Sequence, residues 1–142
     1  MLRNPARTVL IVEPDDDSRS ALRDTLERDG YTVVSTAGAA DALSVVESPG
    51  IGLVITELYL GDGGKDRCLV HTIRQTAALK RTKVLAYTRH SRGEDRRWAI
   101  EQGANGYVLK KNGEARLLEV ADRLSRPRKR SKRRTPRQPK AK

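Results

Sequence analysis

The chain switches repeatedly between short apolar runs and longer stretches in which apolar residues recur at helical spacing. Val9-Leu10-Ile11-Val12 is an unbroken apolar run that stops at Glu13 and the acids Asp15, Asp16 and Asp17. Leu53-Val54-Ile55 carries one acid, Glu57, and then a glycine-rich turn, Gly61-Asp62-Gly63-Gly64. Runs this short, β-branched and bounded by turn residues predict strands buried in a sheet. The same pattern predicts strands over Thr8–Val12, Tyr31–Thr36, Ile51–Thr56, Thr82–Thr88 and Gly106–Leu109. Between them, Leu22 and Leu26 at i, i+4 predict a helix capped by Asp15 or Asp16, running to about Asp29 and closed by Gly30. Ala42, Leu43 and Val46 predict a second from about Ala39 to Glu47, ended by Pro49-Gly50. Cys68, Leu69 and Ile73 mark a third, and Trp98, Ala99 and Ile100 a fourth from about Gly93 to Gln102, closed by Gly103. Leu117, Leu118, Ala121 and Leu124 mark a fifth, with Asn112 as its cap.

Strands that alternate with helices pair in parallel through right-handed crossovers. Five such units predict an α/β fold, a flavodoxin-like (βα)5 three-layer sandwich with sheet order 2-1-3-4-5. Its switch point lies between the first and third strands. Ligands of open α/β sheets bind there, beyond the carboxyl ends of the strands. The acids after Val12 and Glu57 after Thr56 are therefore expected to meet in one crevice.

Charge divides the chain more sharply than hydropathy does. Its 142 residues carry a net +11, yet residues 126–142 hold ten of the 29 Lys/Arg and no acid. Residues 1–125 hold 19 basic and 18 acidic side chains, a net +1. Two domains are expected: a nearly neutral body over 1–125 and a disordered basic tail over 126–142. As a flexible coil the tail would span about 20–25 Å. One cysteine, Cys68, excludes an internal disulfide and a cysteine metal cluster, and its place in an apolar pattern suits a small core residue. No apolar stretch is long enough to span a membrane, and residues 1–7 lack a signal-peptide core, so a cytoplasmic address is expected. Phe is absent, so Leu, Val, Ile and Ala must build the core.

Residues at all five strand ends together resemble the receiver domain of bacterial two-component response regulators, over about residues 7–125. In that family two acids after the first strand bind Mg²⁺, an Asp ending the third accepts a phosphoryl group, a Thr or Ser ends the fourth and a Lys the fifth. Position by position, the resemblance makes Glu13 the first metal acid, Glu57 the phosphoacceptor position, Thr88 the hydroxyl and Lys110 the lysine. Gly103-Ala104-Asn105-Gly106-Tyr107 matches the turn before that lysine, and Tyr107 stands where the family often has a mobile aromatic. Four positions depart from the pattern: Glu57 for Asp, Pro14 for the second metal acid, Lys111 for the proline after the lysine, and Gly61 for the proline after the third strand's motif.

These departures bear on the chemistry. Mg²⁺ demands near-octahedral oxygen ligands, and Pro14 supplies no side-chain oxygen. Glu57 sets its carboxylate one methylene further out, about 1.5 Å, where a shift of about 1 Å can cost roughly a hundredfold in rate. No cofactor is expected, with Mg²⁺ binding weak or absent, and no enzyme activity. Glu57 reads either as a partial mimic of the phosphorylated state or as a partner of Lys110 that holds the crevice shut. The second is favoured, because a carboxylate lacks the extra charge and acceptor oxygens of a phosphoryl group. The expected function is a stand-alone, phosphorylation-independent receiver. It would act as a signalling interaction module, with its protein partner on the face of the fourth helix, fifth strand and fifth helix. In the tail, Arg128, Lys129, Arg130, Lys132, Arg133, Arg134 and Arg137 are the candidate contacts to nucleic acid, anionic lipid or an acidic protein. Two alternatives differ in class: a nucleic-acid-binding protein that uses the receiver as scaffold, and a response regulator with residual phosphoacceptor activity. The Gly61–Gly64 turn lacks the Lys-Ser/Thr ending of a P-loop and predicts no nucleotide site.

Overall fold

The computed structural model describes residues 8–60 and 69–126. Five strands, β1 (Thr8–Val12), β2 (Thr32–Thr36), β3 (Ile51–Thr56), β4 (Lys83–Thr88) and β5 (Gly106–Leu109), form one parallel sheet in the order β2-β1-β3-β4-β5. The helices are α1 (Asp16–Arg28), α2 (Ala39–Val45), α3 (Leu69–Gln75), α4 (Gly93–Gln102) and α5 (Glu114–Ser125). The expected flavodoxin-like architecture and strand order are both present.

Alternation along each strand splits the core into two layers, because successive side chains point to opposite faces of a sheet. Leu10, Val12, Val54, Val84 and Ala86 pack against α2, α3 and α4 through Ala42, Leu69, Val70, Ile73 and Ala99. Val9, Ile11, Leu53, Ile55, Leu85 and Tyr87 pack against α1 and α5 through Leu22, Leu26, Leu117, Val120 and Ala121. The central strands β1, β3 and β4 are buried on both faces. That is why they read as unbroken apolar runs.

Several boundaries differ from the sequence expectation. Asn112 does not cap α5. Residues Lys110–Asn112 instead make a 3₁₀ turn, closed by the Gly113 N–H donating to the Lys110 carbonyl at 3.1 Å. Gly113 takes the cap position at φ 91°, a conformation that favours glycine. The extra turn keeps Lys110 at the sheet edge before the helix departs. Tyr31 precedes β2 and points into the core, its hydroxyl donating to Asp122 Oδ1 on α5 at 2.6 Å. Thr82 likewise falls just before β4, and α2 stops at Val45 rather than Glu47. Leu43 and Ile100 are 38% and 44% exposed: each follows an inward residue by one position, about 100° round the helix. Asp15 caps α1 as expected, accepting from the Ser18 N–H at 2.8 Å. No helix among the described residues is long and apolar enough to cross a membrane.

Candidate functional site

Strand register brings the acids together. Val12 pairs with Thr56, so Glu13 and Glu57 leave adjacent strands at the same level, and the Glu57 N–H donates to the Val12 carbonyl at 3.0 Å. Thr88 pairs with Leu109, which sets Lys110 one residue past the same edge. The Lys110 ammonium lies 2.7 Å from Glu13 Oε1 and 3.0 Å from Glu57 Oε1. The Thr88 hydroxyl donates to Glu57 Oε2, which also accepts from the Leu58 N–H at 2.8 Å. Glu13 Oε2 accepts from the Asp15 N–H at 3.0 Å. Glu13 and Thr88 are buried, and the Lys110 side chain is 20% exposed. Burial acts to lower the Lys110 pKa, but the hydrogen bonds and charges of Glu13 and Glu57 together outweigh it and hold the pKa above 10.5.

Each oxygen of the two carboxylates therefore accepts from a donor of the chain itself. That arrangement does not fit a divalent cation. Mg²⁺ needs oxygens that face it at about 2.0–2.1 Å, whereas these face an ammonium, a hydroxyl and two N–H groups. Pro14 is exposed and brings no side-chain ligand. The Asp15 carboxylate is engaged at the start of α1, where hydrogen bonds from the Ser18 N–H and hydroxyl lower its pKa; burial opposes them, and the charges of Lys110 and Arg89 add a lesser lowering. Among the described residues no group of three His, Cys, Asp or Glu is placed to hold a metal ion.

Tyr107 stands apart from the carboxylates. Its hydroxyl donates to the His90 carbonyl at 2.7 Å, in the loop that follows Thr88, and Arg96 lies over its ring at 5.8 Å. Burial first, then the charges of Asp95 and Glu57, push its pKa up to about 12. The His90 N–H donates to Thr88 Oγ at 3.2 Å, so Thr88 joins this loop to Glu57. The structure thus gathers Glu13, Glu57, Thr88 and Lys110 into one cluster and sets Tyr107 one link away. Arg128, Lys129, Arg130, Lys132, Arg133, Arg134 and Arg137 lie outside the described residues, as do Cys68 and the Gly61–Gly64 turn.

Sequence reasoning missed two residues beside the cluster. Tyr59 stacks on Trp98 with ring centroids 5.6 Å apart, and its hydroxyl donates to Asp95 Oδ1 at 2.8 Å. Burial, then this hydrogen bond and the Asp95 charge, push the Tyr59 pKa to about 12. Asp95 resembles any first-turn helix acid in sequence, but it is only 9% exposed. An aromatic residue two positions past Glu57 was the available signal.

Comparison with known proteins identifies the family and the fold. The response regulator receiver domain family matches residues 9–122. An uncharacterized 14.6 kDa protein of Leptolyngbya boryana is 31% identical over 104 residues, covering 72% of this chain and 77% of that protein. The two-component response regulator PprB of Pseudomonas aeruginosa is 31% identical over 119 residues, 82% of this chain but 43% of PprB. The chain thus spans less than half of that relative. Among solved structures, the chemotaxis response regulator CheY4 of Vibrio cholerae superposes with a TM-score of 0.74 at 23% identity, covering 82% of this chain and 97% of CheY4. The receiver domain of sensor histidine kinase PA1611 from Pseudomonas aeruginosa, described with magnesium in its active-site cleft, has a TM-score of 0.74 at 21% identity over 84% of this chain and 97% of that one.

Proposed function

The chain belongs to the response regulator receiver family over residues 9–122, and from that premise we propose that it is a signalling interaction module whose state does not depend on phosphorylation. The observation that carries this reading is the engagement of Glu57. Its two oxygens are held by Lys110, Thr88 and the Leu58 N–H. Phosphoryl transfer to a carboxylate relies on positioning and on cations that neutralise the transferred group. Here Glu57, in the phosphoacceptor place, is already neutralised from within the chain. Its reach differs from that of Asp by about 1.5 Å, and the residue after Glu13 is a proline. Mg²⁺ binding is weak or absent on this reading. The partner-binding face is that of α4, β5 and α5, held in a single state.

Incubation with acetyl phosphate and millimolar Mg²⁺, read by intact mass, tests the proposal. No added phosphoryl mass is expected. An added phosphoryl mass that disappears in Glu57→Gln would overturn it and establish a working phosphoacceptor instead.

A second reading concerns residues 126–142, where ten Lys/Arg and no acid favour contact with a polyanion. It is independent of the first, since it rests on charge and not on the crevice.

A further inference from the structure

Helix α4 has little of its own to hold it to the sheet. Only Asp95 and Ala99 of its ten residues are buried, and no side chain caps its N-terminus. Trp98 adds a half-buried ring. Two of these three anchors meet Tyr59. The Tyr59 hydroxyl donates to Asp95 Oδ1 at 2.8 Å, and its ring stacks on Trp98 at an interplanar angle of 21°. The His90 ring stands edge-to-face against Tyr59 at 4.7 Å, so the same side chain also touches the loop that enters the helix.

The polar chain from the carboxylate cluster does not reach so far. It runs from Glu57 to Thr88 and then to the His90 N–H, and Tyr107 meets the His90 carbonyl from the other side. Both hydrogen bonds stop three residues before Gly93, where α4 begins, and beyond them the contact with α4 is the exposed Arg96 guanidinium, 5.8 Å over the Tyr107 ring. Among the described residues Asp95 has one ion-pair partner, Arg92, whose Nε lies 3.8 Å from Oδ2 on a 70% exposed side chain. A buried carboxylate depends on short, well-aligned donors, and the Tyr59 hydroxyl is the short one.

We infer that Tyr59 is the positioning residue of α4, fixing its first turn through Asp95 and Trp98 independently of the Glu57 cluster. The exposed side chains that α4 offers to a partner beside Arg96, namely Arg97 and Ile100, are then set from the β3 side. This goes beyond the functional reading above and does not rest on it, because it can be tested on the protein alone.

The test is amide hydrogen exchange of the full chain with three single variants and no phosphodonor. Tyr59→Phe keeps the ring and removes the hydroxyl. Asp95→Asn removes the charge that the hydroxyl serves. Glu57→Gln alters the cluster. In Tyr59→Phe and in Asp95→Asn, α4 amides should exchange about tenfold faster, the scale expected for loss of a hydrogen bond to a buried charge. Amides of α5 should keep wild-type rates. Glu57→Gln should leave α4 rates within about twofold, well short of a hydrogen bond's worth. Unchanged α4 exchange in Tyr59→Phe, uniform acceleration of α4 and α5 together, or equal loosening by Glu57→Gln would each overturn the assignment. Trp98, the single tryptophan of the chain, gives a second reading: its emission should shift in Tyr59→Ala and stay put in Glu57→Gln.

Discussion

Lys110 carries one positive charge between two carboxylates, and the cluster depends on it. Replacement by Met leaves Glu13 and Glu57 facing each other without a cation. Breaking a fully buried ion pair costs about 3–5 kcal/mol; part of this is screened where Lys110 meets solvent, so about 1–3 kcal/mol is expected for Lys110→Met. Urea denaturation at pH 7 measures it. The pH dependence follows from the raised pKa of Lys110. A cation whose folded pKa lies above its unfolded value contributes fully below the unfolded value, and its contribution is lost as pH rises through the folded one. The stability gap between wild type and Lys110→Met should hold at pH 7–9 and shrink above pH 10.5. At this scale the sequence was informative about which residues converge. It was silent on Glu13 Oε1 as the shorter contact of Lys110, because side-chain geometry across three strands is not written in any local pattern.

Elements at the opposite end of the sheet are tied by Arg74, in the last turn of α3. Its guanidinium donates to the carbonyls of Gly103 at 3.0 Å and Lys80 at 3.2 Å, to the Thr82 carbonyl, and to Asn105 Oδ1 at 3.2 Å. Burial lowers its pKa. Asn105 in turn accepts from the Val84 N–H and donates its own N–H to the Val84 carbonyl, both at 2.7 Å. One arginine thus links α3 to the starts of β4 and β5. Gly103 closes α4 at φ 115°, and a Cβ built there would lie 2.1 Å from Arg74 Cγ. Gly103→Ala should therefore lose both the left-handed cap and the arginine's seat, about 2–4 kcal/mol together. Arg74→Ala should cost a similar amount, and the double variant less than the sum, since the two residues share contacts. Thermal denaturation of the three variants checks this. Gly103 as a helix terminator was legible in the sequence. Arg74 was not, because an arginine at the end of an amphipathic helix normally meets solvent.

The whole molecule joins a body of net +1 to a segment with ten cations. Deleting residues 126–142 should abolish binding to DNA while leaving the receiver's thermal stability unchanged. In the full chain, log affinity should fall with log salt at a slope of about −0.9 per phosphate contact, up to about −9 for ten. Salt-insensitive binding, or binding retained by the truncated chain, would assign it elsewhere. By itself the sequence determined the βα alternation, the strand order of a doubly wound sheet, the acids and lysine at the strand ends, and the concentration of charge beyond residue 125. These follow from periodicity, turn residues and composition, which are local properties of a chain. Only the tertiary structure decided how the crevice is filled: Lys110 shared between Glu13 and Glu57, Thr88 turned onto Glu57, and Tyr59 spent on Asp95 and Trp98. Those contacts join residues 31 to 97 positions apart. Such pairings depend on strand register and helix seating that no local pattern encodes.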